Sequence, residues 1–411
     1  MSQILLLTPQ LPYPPHQGTS LRNYHIICGL VQHHTVSLLS FVEENQSIDE
    51  NTIGPLLEKI DRLETVDVPK RSTIKRLWQL LTTSQPDMAH RLASAIFEVK
   101  LRAILSERPF KIVQVEGIEL ARYISIIREI APKSKIVFDN HNAETNLQYR
   151  NFQTDLRRVK RLPAAVYSWI QVRRLREFER WACLEADGVT AVSEADVALL
   201  KAVVGEQELG RGAQAPSIVS IPNSIDLTKY QQQGYEPISF DIIFTGKMDY
   251  RPNVDAVLWF AERVWPLILE KRPATSWAIV GQKPHDRLDL LHDQSGVTVT
   301  GFVESMTPYW QGAKVAVMPF RIGSGTRLKI IEAMASGTPI VSTPVGAEGF
   351  PVTSGEELLL VENANEMATA VLSLLDNPEN RTKLILNSAE FVKKYDWRQV
   401  VKQFEAVYNA L

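Results

Sequence analysis

Short apolar runs recur along the chain, each closed by turn residues and followed by a longer stretch with helical spacing. The first covers residues 4–7, Ile-Leu-Leu-Leu. An unbroken apolar run of this length suits a strand buried on both faces of a parallel sheet. A proline-rich loop over 8–18 ends in Gly18, and Thr19 or Ser20 then caps a predicted helix through Leu21, Tyr24, Ile27 and Leu30. Further strands are predicted at 34–41, 111–116, 135–139, 187–192 and 217–221, with helical patterns at 97–106, 118–130 and 194–203. Strands that alternate with helices predict a parallel α/β sheet.

A polar stretch at 228–239 holds three consecutive glutamines and the breakers Gly234 and Pro237, which marks it as a linker. A second α/β register starts at Asp241. Its strands are predicted at 241–245, 276–280, 297–300, 314–318 and 339–342, and its helices at 254–269, 326–336 and 363–375. Residues 388–411 read as one amphipathic helix interrupted near Asp396 and Trp397. Two α/β domains fit a chain of 411 residues.

Composition narrows the classes. With 45% hydrophobic and 22% charged residues the chain is an ordinary globular protein. The 45 Lys and Arg against 47 Asp and Glu give a net charge of −2, and no basic excess points to nucleic acid. The two cysteines, Cys28 and Cys183, form no CxxC pair, which argues against a disulfide framework or a cysteine zinc site. The apolar run after Met1 is too short for a signal peptide, and nothing approaches the ~20 apolar residues of a membrane span. A cytoplasmic location is therefore expected.

The stretch 314–346 carries the sharpest chemistry. A strand ends at Pro319, a turn follows at Gly323-Ser324-Gly325, and a helix is predicted from near Thr326 to Ala335. Glycines let the backbone approach a ligand, and a helix N-terminus presents unpaired N–H groups that suit a diphosphate. Arg327 and Lys329 add cationic reach, and Glu332 supplies a carboxylate for sugar hydroxyls. Spacing alone leaves open a plain tight turn with solvated charges.

This stretch resembles the donor-binding motif of family 4 glycosyltransferases, which reads Glu-Ala-Met-Ala-x-Gly-x-Pro-Ile/Val-Val. Residues 332–341 match it throughout. Residues 244–248 followed by Pro252-Asn253 resemble the family's phosphate loop. Residues 279–281, 299–303, 139–144 and 221–226 match further landmarks in the expected order. The resemblance spans nearly the whole chain. It implies the GT-B fold, an α/β architecture of two Rossmann-like domains facing across a cleft. Residues 1–225, joined by the C-terminal helix 391–411, would bind the acceptor, and 226–390 the nucleotide sugar. The last helix would cross back to the first domain, with Trp397 and Phe404 as anchors.

The same resemblance implies the site. His141 stands beside the donor's sugar and phosphate as the catalytic candidate. Gly18 keeps the first loop close to the reaction centre. Lys247, Arg251, Phe302, Val303, Gly323, Ser324, Gly325, Thr326, Arg327, Lys329 and Glu332 bind the donor. Two positions depart from the pattern. Ser324 stands where many members have a first glutamate, a form found in a branch making bacterial surface polysaccharides. Pro252 stands at the usual second phosphate lysine, with Arg251 as its replacement.

The implied reaction is retaining hexosyl transfer from a nucleoside-diphosphate sugar, the co-substrate, to a glycan or lipid-linked acceptor. No Asp-x-Asp motif occurs, so neither a metal nor another cofactor is expected. A nucleotide-sugar epimerase of the same fold and a non-enzymatic nucleotide-binding scaffold are the alternatives.

One stretch bears on location. Residues 155–180 hold eight Lys or Arg against three acids, with Tyr167 and Trp169 among them. Such a stretch can dock on the anionic inner face of the plasma membrane. It can also be a core helix with Val166, Ile170, Leu175 and Phe178 as its buried stripe. Both readings stand at this point.

Overall fold

The computed structural model describes residues 1–15, 18–44, 46–156, 162–205, 216–231, 236–323 and 325–411. The chain divides into two compact units, one of residues 1–224 with 397–411, the other of residues 225–396.

The first unit is built on seven strands: β1 (Ser2–Thr8), β2 (His34–Val42), β3 (Arg62–Asp67), β4 (Ile112–Glu116), β5 (Lys135–Asp139), β6 (Gly188–Ala191) and β7 (Ser217–Ser220). They pair in parallel in the order β3-β2-β1-β4-β5-β6-β7. Ile4, Leu5, Leu6 and Leu7 are wholly buried, as helices covering both faces of a parallel sheet require. The expectation that Thr19 or Ser20 caps the first helix is corrected. The helix runs Gly18–Leu30, so both residues lie inside its first turn.

The strand β3 was not expected from the sequence. Its six residues include only two apolar ones, Leu63 and Val66, and only Val66 is buried. It is the edge of the sheet, and an edge strand needs no continuous apolar run.

The last helix, Trp397–Ala410, belongs to this first unit. Its Val400, Phe404 and Tyr408 sit in one apolar cluster with Ile4, Ile26, Ile27 and Leu30. Gly29 makes the approach possible, because a side chain there would collide with Val401. Phe404 is fully buried, and Trp397 stacks on His25 with ring centroids 6.0 Å apart.

The second unit has six parallel strands: β8 (Phe240–Thr245), β9 (Trp277–Val280), β10 (Val297–Gly301), β11 (Ala313–Met318), β12 (Ile340–Ser342) and β13 (Leu359–Leu360). Their order is β10-β9-β8-β11-β12-β13. The single helix expected over 254–269 is two, Arg251–Arg263 and Trp265–Lys271, because Pro266 at the start of the second removes a donor. The helix expected from Thr326 begins at Leu328 with Arg327 as its N-cap. The predicted linker contains a short helix, Leu227–Gln231, and its residues 232–235 lie outside the described ones.

Counted from its own first strand, the second sheet runs 3-2-1-4-5-6, the Rossmann order, and the first runs the same with a seventh strand added. The order reverses between β1 and β4 in one unit and between β8 and β11 in the other. In such sheets ligands bind beyond the carboxyl ends of the strands at the reversal.

Candidate active site

In the second unit the reversal brings the ends of β8, β9 and β11 together. Gly246 (φ 153°) and Gly281 (φ 151°) abut so closely that a side chain on Gly281 would drive into the Gly246 carbonyl. The Gly246 N–H donates to the Val280 carbonyl at 3.0 Å, and the Met248 N–H to the Gln282 carbonyl at 2.9 Å. Asn253 holds the loop from below, its Nδ2 donating to the Lys247 carbonyl at 2.8 Å. The Lys247 side chain is half exposed, with Asp249 3.7 Å from its ammonium. Arg251 is exposed at the start of its helix.

The turn after β11 closes over the same place. Gly323 (φ 117°) lies against Pro252 and Arg327, and Gly325 (φ 79°) completes the turn. Ser324 lies outside the described residues. Thr326 packs on Gly349, where an added Cβ would strike its methyl group. Arg327 donates through Nη1 to the Val345 carbonyl at 2.6 Å and lies 4.7 Å from the Phe320 ring centre. The N-cap makes no side-chain hydrogen bond to the helix Leu328–Ala335.

Lys329 stitches the two loops. Its Nζ donates to the Thr245 carbonyl at 2.6 Å and to Asn253 Oδ1 at 3.0 Å, and lies 4.8 Å from the centres of both Phe244 and Phe320. Burial among these rings, with Arg327 nearby, brings its pKa down to about 7. Glu332, one turn further on, accepts a hydrogen bond from the Tyr230 hydroxyl at 3.1 Å. Burial raises its pKa above the usual carboxylate range, against the pull of Tyr230 and Lys329. Phe302 follows β10 on the same sheet edge and is 73% exposed, whereas Val303 packs against the core.

The first unit carries His141. The strand β5 ends at Asp139, and His141 takes a left-handed φ of 55°, a conformation uncommon for non-glycine residues in which Asn, Asp and His are enriched. This turn aims the ring at Glu116, the last residue of β4, with Nε2 2.9 Å from Glu116 Oε2. Burial opposes a charged imidazole. Asp139 and the Glu116 hydrogen bond outweigh it and hold the His141 pKa above its ordinary value. Glu116 is itself clasped by Gln114, which accepts from the Tyr408 hydroxyl of the last helix.

Arg22 anchors this group from the helix Gly18–Leu30. Its Nε and Nη2 donate to the two oxygens of Asp139 at 2.7 and 3.1 Å, and its Nη1 to the carbonyls of Ile221 and Pro222, both at 3.0 Å. Both partners are buried, with side chains 2% and 0% exposed. A single guanidinium thus ties the motif at 139–144 to the motif at 221–226. Gly18 is exposed one turn before Arg22.

Glu116, Asp139 and His141 place ligand atoms within 4.8 Å of one another, a spacing open to a divalent cation. Both Asp139 oxygens already serve Arg22, whose positive charge would repel one.

Sequence reasoning did not single out Glu116, Arg22 or Tyr230. A carboxylate closing the apolar run of β4 was the one available signal.

Glu144 adds a testable consequence. Burial, with Glu119 and Glu179 nearby, raises its pKa to about 8. A carboxyl whose folded pKa lies above its unfolded value contributes stability fully below the unfolded pKa, near 4.5. That contribution is lost as pH rises toward 8. Relative to the unsubstituted protein, Glu144→Gln is expected to gain melting temperature at pH 8 and not at pH 5. Each kcal/mol recovered corresponds to about 2–4 °C in a unit of this size. Thermal scans at the two pH values check it, and an equal shift at both would contradict it.

Residues 239–377 match the family model described as Glycosyl transferases group 1. The phosphatidyl-myo-inositol mannosyltransferase of Mycolicibacterium smegmatis is 28% identical over 203 residues, 47% of this chain and 52% of that protein. A Klebsiella pneumoniae protein, described as an uncharacterized 44.6 kDa protein in the cps region, is 20% identical over 46% of this chain and 50% of its own. The chain thus spans about half the length of the curated relatives it matches. Among solved structures, the sucrose-phosphate synthase of Thermosynechococcus elongatus gives a TM-score of 0.68 at 18% identity, covering 100% of this chain and 99% of that one. Anabaena HepE in complex with UDP gives 0.64 at 14% identity, covering 100% of both. At such identities the likeness is one of fold, and it places the chain in the GT-B class of two Rossmann-like domains. The domain matched by the family model is the one that carries the loops of β8 and β11 and Glu332; residues 239–377 are a glycosyl transferases group 1 domain.

Proposed function

We propose that this protein moves a sugar from a nucleoside-diphosphate sugar to a glycan or lipid-linked acceptor with retention of anomeric configuration. The observation that carries the reading is the convergence of Lys247, Gly246, the Gly323–Arg327 turn, Lys329 and Glu332 at the strand reversal of the second sheet. The UDP present in the Anabaena HepE structure supports a nucleotide ligand for the fold.

In the proposed reaction the bond from the anomeric carbon to the diphosphate breaks. A bond from that carbon to the acceptor oxygen forms on the same face, and the acceptor's proton leaves with the diphosphate. Charge grows on the departing phosphate, and preorganised donors stabilise it most. Lys247, Arg251 and the N-terminus of the helix Leu328–Ala335 take this role. His141, whose carboxylate neighbours favour its charged form, is the catalytic candidate of the first unit. Glu332 accepts from ribose hydroxyls. Because Arg22 already neutralises Asp139, the reaction is assigned no metal.

Incubation with labelled UDP-, GDP- and ADP-sugars, with and without lipid extract or glycan, tests the reading. Label is expected in product only when acceptor is present, and EDTA is expected to leave the rate unchanged. Interconversion of the free nucleotide sugar without acceptor would identify an epimerase instead. Abolition by EDTA would overturn the metal-free mechanism.

A further inference from the structure

The helix Thr73–Thr82 buries none of its residues. Ile74, Leu77, Trp78 and Leu81 fall at i, i+3, i+4 and i+7 and are 80%, 57%, 64% and 85% exposed. A surface helix ordinarily turns such a stripe to the core, and a contiguous exposed apolar face marks a contact surface. The charge around it is one-sided. Residues 69–83 contain Lys70, Arg71, Lys75 and Arg76 and no acid. Asp87 pairs with Arg71 at 2.6 Å and Arg76 at 3.4 Å, and Glu44 with Lys70 at 2.7 Å, so two of these four charges are offset.

The helix Leu162–Glu185 extends the face. Arg174 Nη2 donates to the Leu80 carbonyl at 2.9 Å, and Gln171 Oε1 accepts from the Asp87 N–H at 2.8 Å, which fixes the two helices side by side. Val166 and Trp169 are 60% and 50% exposed, and the Arg173 guanidinium lies 5.8 Å from the Trp169 ring centre. Val166 is therefore not part of a buried stripe; Leu175 and Phe178 are. Beside these helices lies a hollow of about 920 Å³ whose lining includes Arg122, Arg173, Arg174 and Arg176, with Glu177 its one acidic residue. The basic residues at 157–161 lie outside the described ones.

We infer that this face docks on the anionic surface of a lipid bilayer. The Ile74–Leu81 stripe and Trp169 would enter the boundary between headgroups and acyl chains, and the flanking lysines and arginines would meet lipid phosphates. An apolar stripe with tryptophan, rimmed by Lys and Arg, has the composition of an interfacial helix. A second copy fits less well, because an isologous contact would press two like-charged faces together. The inference does not depend on which sugar or acceptor the protein uses.

The test is co-sedimentation of the full chain with vesicles of phosphatidylcholine alone or with one third phosphatidylglycerol. Binding is expected to the anionic vesicles and to weaken with added salt, which screens the charges. Trp78→Ser with Leu81→Ser should lower partition about 100-fold. Lys75→Glu with Arg173→Glu should lower it at least ~10-fold on anionic vesicles only. Melting temperature should be unchanged by the serine pair, because neither side chain is buried. No binding by the unsubstituted chain, or unchanged partition in the serine variant, would overturn the proposal. So would a dimer that the serine variant dissociates in the absence of vesicle binding, since the face would then meet a second copy.

Discussion

His141→Ala is expected to lower transfer by about 10²–10³-fold while melting temperature falls by only a few degrees. The first figure is that for loss of one preorganised group that stabilises developing charge, the role proposed for His141. The second follows from what remains. Glu116 loses one partner, but burial and Asp139 already raise its pKa, so it can take up a proton rather than remain a bare charge. The Arg22–Asp139 pair, which ties the strand end to the carbonyls of Ile221 and Pro222, is untouched. Glu116→Gln separates orientation from charge. It can keep a hydrogen bond to the ring but removes a carboxylate that favours the imidazolium. The alkaline limb of the pH–rate profile should then move to lower pH. Steady-state rates across pH, with thermal scans of both variants, check the pair of outcomes. Losses of activity and stability in proportion would make His141 a structural residue of its loop.

The strands were legible because parallel strands are buried on both faces, and burial writes itself as a continuous apolar run. Residues 4–7, 135–139 and 314–318 all show it. Where that physics does not apply the signal vanishes. The strand β3 carries Leu63 and Val66 as its only apolar residues among Arg62, Glu64, Thr65 and Asp67 at a sheet edge, and β13 is only two residues long. Helix starts were misplaced by two to three residues because glycine and arginine, rather than a serine or threonine cap, open the helices at Gly18 and Leu328.

The site divides along the same line. His141 and Glu332 stand in local motifs, and local motifs can be read from spacing. Their partners are remote. Glu116 lies 25 positions from His141, Arg22 lies 117 from Asp139, and Tyr230 lies 102 from Glu332. The order of strands in the sheet, which no local spacing records, makes them neighbours. The membrane face shows the same limit. The basic charge of 155–180 was visible, but the apolar stripe beside it comes from a helix about 90 residues earlier, placed there by the Arg174–Leu80 hydrogen bond.

Glu332→Ala is expected to weaken nucleotide-sugar affinity by about 10- to 150-fold with the fold intact. A carboxylate about one turn into the helix whose N-terminus is proposed to face the diphosphate gains nothing from the phosphate, which repels it. Ribose offers adjacent hydroxyls, and a carboxylate can accept from both. Hydrogen bonds to a charged group contribute roughly 1.5–3 kcal/mol, and ~1.4 kcal/mol corresponds to tenfold. Tyr230 occupies Oε1 at 3.1 Å, and among the described residues no hydrogen bond engages Oε2, which leaves that oxygen for the ligand. Glu332→Gln keeps the shape and loses the charge, so its loss should be smaller than that of Glu332→Ala. Tyr230→Phe removes the group that orients the carboxylate and should cost about 2- to 12-fold, the range of a neutral hydrogen bond worth ~0.5–1.5 kcal/mol. Because burial raises the Glu332 pKa, affinity should also fall toward acid pH in the unsubstituted protein, and this component should be missing in Glu332→Gln. Calorimetric titration with the nucleoside diphosphate that gives the largest thermal shift measures all three variants. Unchanged affinity in a folded Glu332→Ala protein would make Glu332 an ordinary helix residue whose partner is Tyr230 alone, and the donor would have to bind elsewhere on the sheet edge.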